Sequence, residues 1–275
     1  MTIDEFASLF GFRKPAIGVV HLLPLPGSPG YGGSMADVVE RARSDAAAYR
    51  DAGFHGLIVE NYGDVPFWPD RVGPETVAAM SAVVWEVARS VRLPVGVNVL
   101  RNDARAALAI AAAVGARFVR VNVHTGAMVT DQGIIEGRAA ETARFRKQLG
   151  AGTFIFADVL VKHGQPLGQI GVEAAVADTV ERGLADAVIV TGQATGEPCD
   201  LEELARAKRA AGEVPVLAGS GVNADNVGEI LAMADGVVVG TSVKLDARTS
   251  QPVDRARATE FITALRGCVE AASGR

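Results

Sequence analysis

Eight short apolar runs rich in valine and isoleucine recur along the 275-residue chain, and they limit its fold more than any other feature. Longer segments with the apolar periodicity of helices separate them, which is the pattern of repeated βα units around a parallel sheet. The runs begin 21 to 40 residues apart, a spacing that holds one strand, one helix and two loops. The predicted strands are 15–21, 55–61, 94–100, 117–123, 153–159, 186–191, 214–219 and 235–240.

This pattern predicts an α/β fold, a single (β/α)8 TIM barrel over residues 1–275, because such barrels routinely use about 200–250 residues as one domain. Residues 1–14 are expected to form a short N-terminal capping segment, with a helix at 4–10 that closes the bottom of the barrel. Residues 253–273 are expected to form the last outer helix. No linker-like or low-complexity stretch divides the chain.

Charge and apolar run length restrict the partners and the location. The net charge of −5 offers no basic surface for nucleic-acid phosphates. The amino terminus lacks the basic and apolar regions of a signal peptide, and no apolar run reaches the roughly 18 residues needed to cross a bilayer. We therefore expect a cytoplasmic protein with no integral membrane segment and no nucleic-acid partner; homo-oligomerisation is left open.

Alternation along the strands predicts which side chains face the barrel interior. In 117–123, the valines at 119, 121 and 123 share one face, and Arg120, Asn122 and the following His124 share the other. Since the helix-facing side of such a barrel is apolar, the polar set is expected to point inward. The same parity directs Asn98, Asp158 and then Lys162 inward.

Polar residues at the predicted strand ends form a ring at the carboxyl-terminal face, where active sites of these barrels lie. An alternative for Arg120 is a buried ion pair with Glu60 or Asp158 that fills the barrel. The candidate catalytic residues are Glu60, His124, Asp158 and Lys162, and the candidate substrate-binding residues are His21, Asn61, Asn98, Asn122, His163 and Thr191.

Two glycine-bearing loops follow strands seven and eight, the usual phosphate position in such barrels. Small residues there let backbone N–H groups approach an anion, and Lys244 is close enough in sequence to add a positive charge. The predicted phosphate-binding residues are Gly219, Ser220, Gly221, Gly240, Thr241 and Ser242.

Several chemistries are open to the ring. Lys162 can pair with Asp158 as an ammonium or form a Schiff base as an amine of lowered pKa. His124 and His163 suit acid–base work, while Asp158 or Glu60 could remove a proton next to a carbonyl. We expect Asp158→Asn and Lys162→Met to keep the fold and lose turnover.

No cofactor is predicted. A divalent metal held by His21, Glu60, Asp158 and a second histidine is a weaker alternative, because the four histidines show no metal-binding spacing. The glycine-punctuated segments 22–33 and 124–137 are expected to be loops that close over the site, and 191–196 adds polar groups to its rim.

Five segments together resemble the BtpA/SgcQ family, whose barrel is similar to the ribulose-phosphate-binding barrels. They are VVHLLPLPG at 19–27, GVNVLRNDA at 96–104, RVNVHTGAMVTDQG at 120–133, FADVLVKHG at 156–164 and VIVTGQATG at 188–196. The resemblance implies a (β/α)8 barrel and a family named for a cyanobacterial role in photosystem I biogenesis or stability, as a peripheral membrane-associated factor. It implies no settled reaction and assigns no catalytic residue.

The leading hypothesis is an enzyme for a small phosphorylated sugar or ribosyl compound, of the isomerase, epimerase, lyase or glycosidic-cleavage type. One alternative is a noncatalytic biogenesis or stability factor that binds a membrane complex of the photosystem type. A second alternative is a metal-dependent hydrolase.

Overall fold

The computed structural model describes residues 1–161, 163–192 and 199–273, and eight of its strands close into a parallel barrel. All eight predicted strands are observed and the (β/α)8 architecture is confirmed, each strand being one to three residues shorter than predicted because its ends leave the ladder for loops. The barrel strands and three additional strands (β5, β6, β8) are, in chain order, β1 (Ala16–His21), β2 (Gly56–Glu60), β3 (Val95–Asn98), β4 (Phe118–Val121), β5 (Ala127–Thr130), β6 (Gly133–Glu136), β7 (Phe154–Val159), β8 (Gly164–Pro166), β9 (Ala187–Val190), β10 (Val216–Ala218) and β11 (Gly236–Val239).

Helices cover the outside of the barrel, whose strands follow the circular order β1-β11-β10-β9-β7-β4-β3-β2. Local capping sets several helix starts: the Ser34 hydroxyl accepts a hydrogen bond from the Asp37 N–H, and Pro74 opens its helix. The helices are α1 (Ile3–Phe10), α2 (Met35–Ala52), α3 (Pro74–Ser90), α4 (Ala104–Val114), α5 (Ala139–Leu149), α6 (Val172–Ala177), α7 (Leu201–Ala211), α8 (Val227–Met233) and α9 (Arg255–Ser273).

Strand alternation divides the core into two parts, as the parity argument predicts. Val119 and Val121 belong to the large apolar cluster between sheet and helices. Phe118 alternates with these valines along β4, and Phe156 alternates in the same way with the outward residues of β7. Both rings belong to a separate cluster inside the barrel.

The bottom of the barrel is filled by aromatic side chains from α1. Phe6 and Phe10 are buried in the interior cluster, and the Phe10 ring lies edge-on to Phe118, with 5.7 Å between centroids. Phe118 in turn stacks on Phe156 at 4.5 Å. A Cβ on Gly96 would come within 2.3 Å of the Phe118 ring, so the neighbouring strand must carry glycine there. The filled bottom leaves the opposite, carboxyl-terminal end as the open face.

The segment 124–137 is not the irregular loop that its glycines suggested. It contains the antiparallel hairpin β5–β6, and β8 pairs with β5 on the other side. Met128 and Ile135 on one face are buried with Val123 and Val161, which explains why this excursion becomes ordered sheet.

Candidate functional site

A cavity of about 840 Å³ opens at the carboxyl-terminal ends of the barrel strands. Its volume lies within the range of about 300–1,000 Å³ typical of small-molecule sites. Residues at the ends of β1, β2, β4 and β11 and in the following loops contribute to it, together with the tip of the β5–β6 hairpin. The polar residues in its wall are His21, Glu60, Tyr62, Arg101, Arg120, Asn122, Asp131, Gln132, His163, Ser220, Asn223, Thr241 and Ser242.

The two glycine loops lie on one side of this cavity, and all six predicted phosphate residues line it. The Ser220 hydroxyl accepts a hydrogen bond from the Gly192 N–H at 2.6 Å, and the Ser242 hydroxyl donates to the Val222 carbonyl at 2.6 Å. A Cβ on Gly240 would lie 2.9 Å from the His21 ring, so a larger residue at this strand end would require the ring to shift. The structure therefore presents the loops as one preformed surface.

Lys244 does not contribute a charge to these loops, contrary to the expectation from its position in sequence. Its side chain is fully buried, and its Nζ lies 2.9 Å from the Asp45 carboxylate on α2. Burial lowers the pKa of Lys244, and Asp45 opposes that effect. A short 3₁₀ turn at Thr241–Val243 directs the chain into this ion pair beneath the loop.

Glu60 provides a carboxylate in the cavity wall. Its Oε2 accepts a hydrogen bond from the Asn98 amide at 3.0 Å, and its Oε1 lies 3.8 Å from Nε2 of His21. The Glu60 side chain is 8% exposed and lines the cavity, so its carboxylate lies at the floor of the cavity rather than behind the floor. Asn98, which was predicted to bind substrate, is buried at Glu60 and is not part of the cavity wall.

Arg120 forms the buried ion pair that the sequence left as an alternative, and it also lines the cavity. Its Nε and Nη2 donate to the two carboxylate oxygens of Asp158 at 2.9 and 3.0 Å, and Nη1 lies 3.7 Å from Glu60. The Asn122 amide donates at 2.8 Å to Oδ2 of Asp158, the oxygen that also accepts from Nη2 of Arg120. Burial acts to lower the pKa of Arg120, but Asp158 and Glu60 more than offset it and raise the pKa above its usual value.

Besides Asn98 and Asp158, three more predicted site residues lie outside the cavity wall. His124 was expected to point inward, but β4 already ends at Val121. The Nε2 atom of His124 lies 2.8 Å from the Gly183 carbonyl oxygen. Burial lowers the pKa of His124. Asn61 accepts from the Leu100 N–H at 2.7 Å, so it holds two loops together. Thr191 is buried at the end of β9, beside Gly219.

The segment after β7 is described in part. His163 is exposed and lines the cavity, with a positive φ of 60°. Lys162 lies outside the described residues, as do positions 193–198 of the predicted rim segment. The predicted roles of His163 and Lys162 remain predictions.

Sequence reasoning missed several residues of the cavity wall. Arg101 follows β3 and is buried, and burial lowers the pKa of its guanidinium while Asp158 opposes that effect. Tyr62 and Phe67 come from the loop after β2, and Asp131 and Gln132 from the hairpin tip. Arg101 was within reach, since it closely follows a predicted strand; the hairpin tip reaches the cavity only through tertiary packing.

The four-residue metal site is not assembled. Asp158 faces Arg120 and Asn122, and within residues 1–161, 163–192 and 199–273 no group of three or more His, Cys, Asp or Glu side chains could hold a metal ion. In the same part of the chain, no helix has both the length and the apolar character needed to cross a membrane.

Fold and cavity define this chain as a (β/α)8 barrel with a polar cavity at the carboxyl-terminal face. Residues 12–267 match the model of the BtpA family, and the chain belongs to that family. The photosystem I biogenesis protein BtpA of Synechocystis sp. is 50% identical over 256 residues, covering 93% of this chain and 89% of that protein. The putative sgc region protein SgcQ of Escherichia coli K12 is 32% identical over 257 residues, covering 92% and 95%.

Solved structures show the same fold. N-(5′-phosphoribosyl)anthranilate isomerase from Pyrococcus furiosus superimposes with a TM-score of 0.53 at 12% identity, covering 92% of this chain and 99% of that one. The family resemblance and the barrel fold expected from the sequence are thus confirmed.

Proposed function

We propose that the chain is an enzyme acting on a small phosphorylated sugar or ribosyl compound, of the isomerase, epimerase or lyase type. The observation that carries the proposal is that one cavity holds both glycine loops and a carboxylate–guanidinium floor. The loops, with Gly219, Ser220 and Gly221 on one strand end and Gly240, Thr241 and Ser242 on the next, would hold the phosphate. The barrel neighbour named for a phosphoribosyl substrate supports this ligand class.

The reacting end of the ligand would meet Glu60 and Arg120. A carboxylate at the cavity floor can remove a proton next to a carbonyl, and a fixed guanidinium stabilises the negative charge that then develops on the oxygen. Asp158 has both oxygens occupied by Arg120 and Asn122, so it acts as a positioning residue for them. His124 contacts the Gly183 carbonyl, and we assign it a role in holding the local backbone rather than in binding the ligand.

A thermal-shift screen tests the proposal with inorganic phosphate, ribose 5-phosphate, ribulose 5-phosphate and their dephosphorylated forms. A ligand that binds only the folded state raises its stability, by about 2.7 kcal/mol at 100 times the dissociation constant. We expect a shift with a phosphosugar and none with the matching free sugar. Glu60→Gln should then retain the shift and lose turnover of that compound; full turnover would contradict the assigned role.

A second candidate function is a noncatalytic biogenesis or stability factor for a membrane complex, and the name of the 50% identical relative favours it. Apolar side chains exposed on the small sheet, including Val129, Ile134 and Leu167, would be its contact surface. Flotation of the protein with membranes from the organism that produces it distinguishes the two functions. Membrane retention that Ile134→Asp abolishes supports the factor, and retention independent of that surface argues against it.

A further inference from the structure

A second, smaller cavity of about 250 Å³ adjoins the main one and shares two wall residues with it, Phe67 and Leu100. Beyond them its wall contains Pro66 and Trp68 from the loop after β2 and Pro29 from the loop after β1. The two cavities therefore border the same apolar wall. That wall lies at β2 and β3, whereas the glycine loops follow β10 and β11, with β1 between them in the barrel.

Large apolar side chains are exposed along this wall. Trp68 is 65% exposed at the second cavity, and Val65 is 55% exposed at the main one. Leaving such surfaces in water is unfavourable, and clustered apolar exposure beside a cavity marks a binding site. Tyr62 continues the wall toward His21, with 6.5 Å between the Tyr62 and Phe67 ring centroids and 4.8 Å between those of Tyr62 and His21.

The loop that carries these side chains is anchored at several points. The Trp68 carbonyl accepts a hydrogen bond from the Arg101 N–H at 3.0 Å. Asn61 donates to the Asp64 carboxylate at 3.0 Å, and the other oxygen of Asp64 accepts from the Leu25 N–H at 2.7 Å. Since the loop is tied to both neighbouring loops, its aromatic groups are held ready for a ligand at little cost in ordering.

Polar groups are placed at the rim of the second cavity. Glu75, in the first turn of α3, and Thr76 line it together with Ser28. A carboxylate and two hydroxyls beside an aromatic wall can accept hydrogen bonds from ring N–H or amino groups. This combination suits a nitrogen heterocycle better than a hydrocarbon chain, which would leave the polar groups unpaired.

We propose that the second cavity is a subsite for a planar heterocyclic group attached to the phosphorylated sugar, with Phe67 and Trp68 as its stacking surfaces. This inference rests on the proposed function, because the glycine loops must anchor the phosphate for the ring to reach the subsite. Of the ligands compatible with the main cavity, it selects the ribosyl compounds that carry a base over bare phosphosugars.

The chain contains two tryptophans, so fluorescence can isolate the subsite. Trp85 lies on α3, half-exposed against Arg89, and lines neither cavity. In a Trp85→Phe protein, emission comes from Trp68 alone, and we expect adenosine or uridine 5′-monophosphate to quench it while ribose 5-phosphate does not. A Trp68→Phe protein, which retains Trp85, is the matched control for light absorbed by the nucleotide.

Calorimetric titration of the full chain then measures affinity. Base stacking on an aromatic side chain is worth about ten-fold or more in affinity, so the nucleotide should bind about ten-fold tighter than ribose 5-phosphate. Trp68→Ala should remove that advantage and leave ribose 5-phosphate binding unchanged, because Trp68 lines the second cavity and not the main one.

Three results would overturn the inference. Equal affinity for ribose 5-phosphate and the nucleotides, unaffected by Trp68→Ala, leaves the proposed function standing and removes the subsite. No binding of either ligand removes both. A change in molecular mass by light scattering on Trp68→Ala, without quenching by nucleotide, would assign Trp68 to a contact between copies of the chain.

Discussion

Arg120, in the wall of the cavity, holds both carboxylate oxygens of Asp158 inside the barrel, at 2.9 and 3.0 Å. The pair joins two adjacent strands, β4 and β7, and it orients the guanidinium whose Nη1 faces Glu60. One buried carboxylate thus sets the position of the cation at the floor of the candidate site.

Asp158→Asn is expected to destabilise the protein as well as alter the site, which revises the expectation that the fold is unaffected. The variant leaves the buried Arg120 guanidinium with Glu60, at 3.7 Å, as its remaining carboxylate, at a cost on the order of 3 kcal/mol. Urea unfolding measures it. Glu173→Gln is the matched control, since Glu173 binds Arg206 in the same two-point manner at an exposed site, where the loss is about 1 kcal/mol or less. Equal losses in the free energy of unfolding of the two variants would show that burial adds nothing to the contribution of the ion pair.

Lys244→Met should also lower the free energy of unfolding, by about 3 kcal/mol, because the buried Asp45 carboxylate loses its 2.9 Å ion pair and keeps only the longer ion pair with Arg41, at 3.4 Å. The exposed pair of Arg255 with Asp51 offers the comparison Arg255→Met, which we expect to change stability by about 1 kcal/mol or less. Affinity for phosphosugar should be the same in both variants. A large loss of that affinity in Lys244→Met alone would restore Lys244 to the phosphate site.

His55 should make stability fall in mild acid. Burial, assisted by Arg266, lowers the pKa of His55 to about 4, while an unfolded histidine has a pKa of about 6.5. Between these values the unfolded chain binds a proton that the folded chain does not, so the free energy of unfolding decreases as pH falls from about 6.5 to about 4 and this contribution is constant below.

The size of this effect is on the order of 1–2 kcal/mol, given the partial exposure of the ring. Denaturant titrations of the parent and of His55→Asn across this pH range isolate it, because all other groups titrate in both proteins. Parallel pH profiles for the two proteins would refute the assignment.

Phe6→Ala should destabilise the barrel without affecting the cavity. Phe6 is fully buried against Phe10 and Phe156 at the bottom, and such truncations cost about 3–5 kcal/mol. Leu9→Ala, on the same helix but only partly buried, should cost less. Thermal unfolding gives the stabilities. Phosphosugar titration of both variants at about 20 °C, below the unfolding transition of each, should give the same affinity. A selective loss of binding in Phe6→Ala would mean that the two ends of the barrel are coupled.

The strand alternation predicted the barrel and much of its floor because a period of two is a local property of the chain. Alternation directed Arg120 inward, and the predicted strand ends brought Glu60 and both glycine loops to the same face; the structure has all of them in one cavity. The same argument misplaced His124, since alternation ends with the strand, at Val121. It missed Arg101 and Gln132, whose positions depend on loops and on a hairpin outside the barrel.

The sequence by itself determined the fold class, the order of strands and helices and the strand ends at which polar and glycine residues meet, because periodicity and turn residues act over a few neighbouring positions. Only the tertiary structure decided the partners of the charges. Lys244 is three positions from Thr241, yet it pairs with Asp45 across 199 residues of chain. Asp158 is enclosed by Arg120 and Asn122, while Glu60 keeps an open face. The physical reason is that the energy of a charge depends on its three-dimensional surroundings, which strand periodicity does not encode.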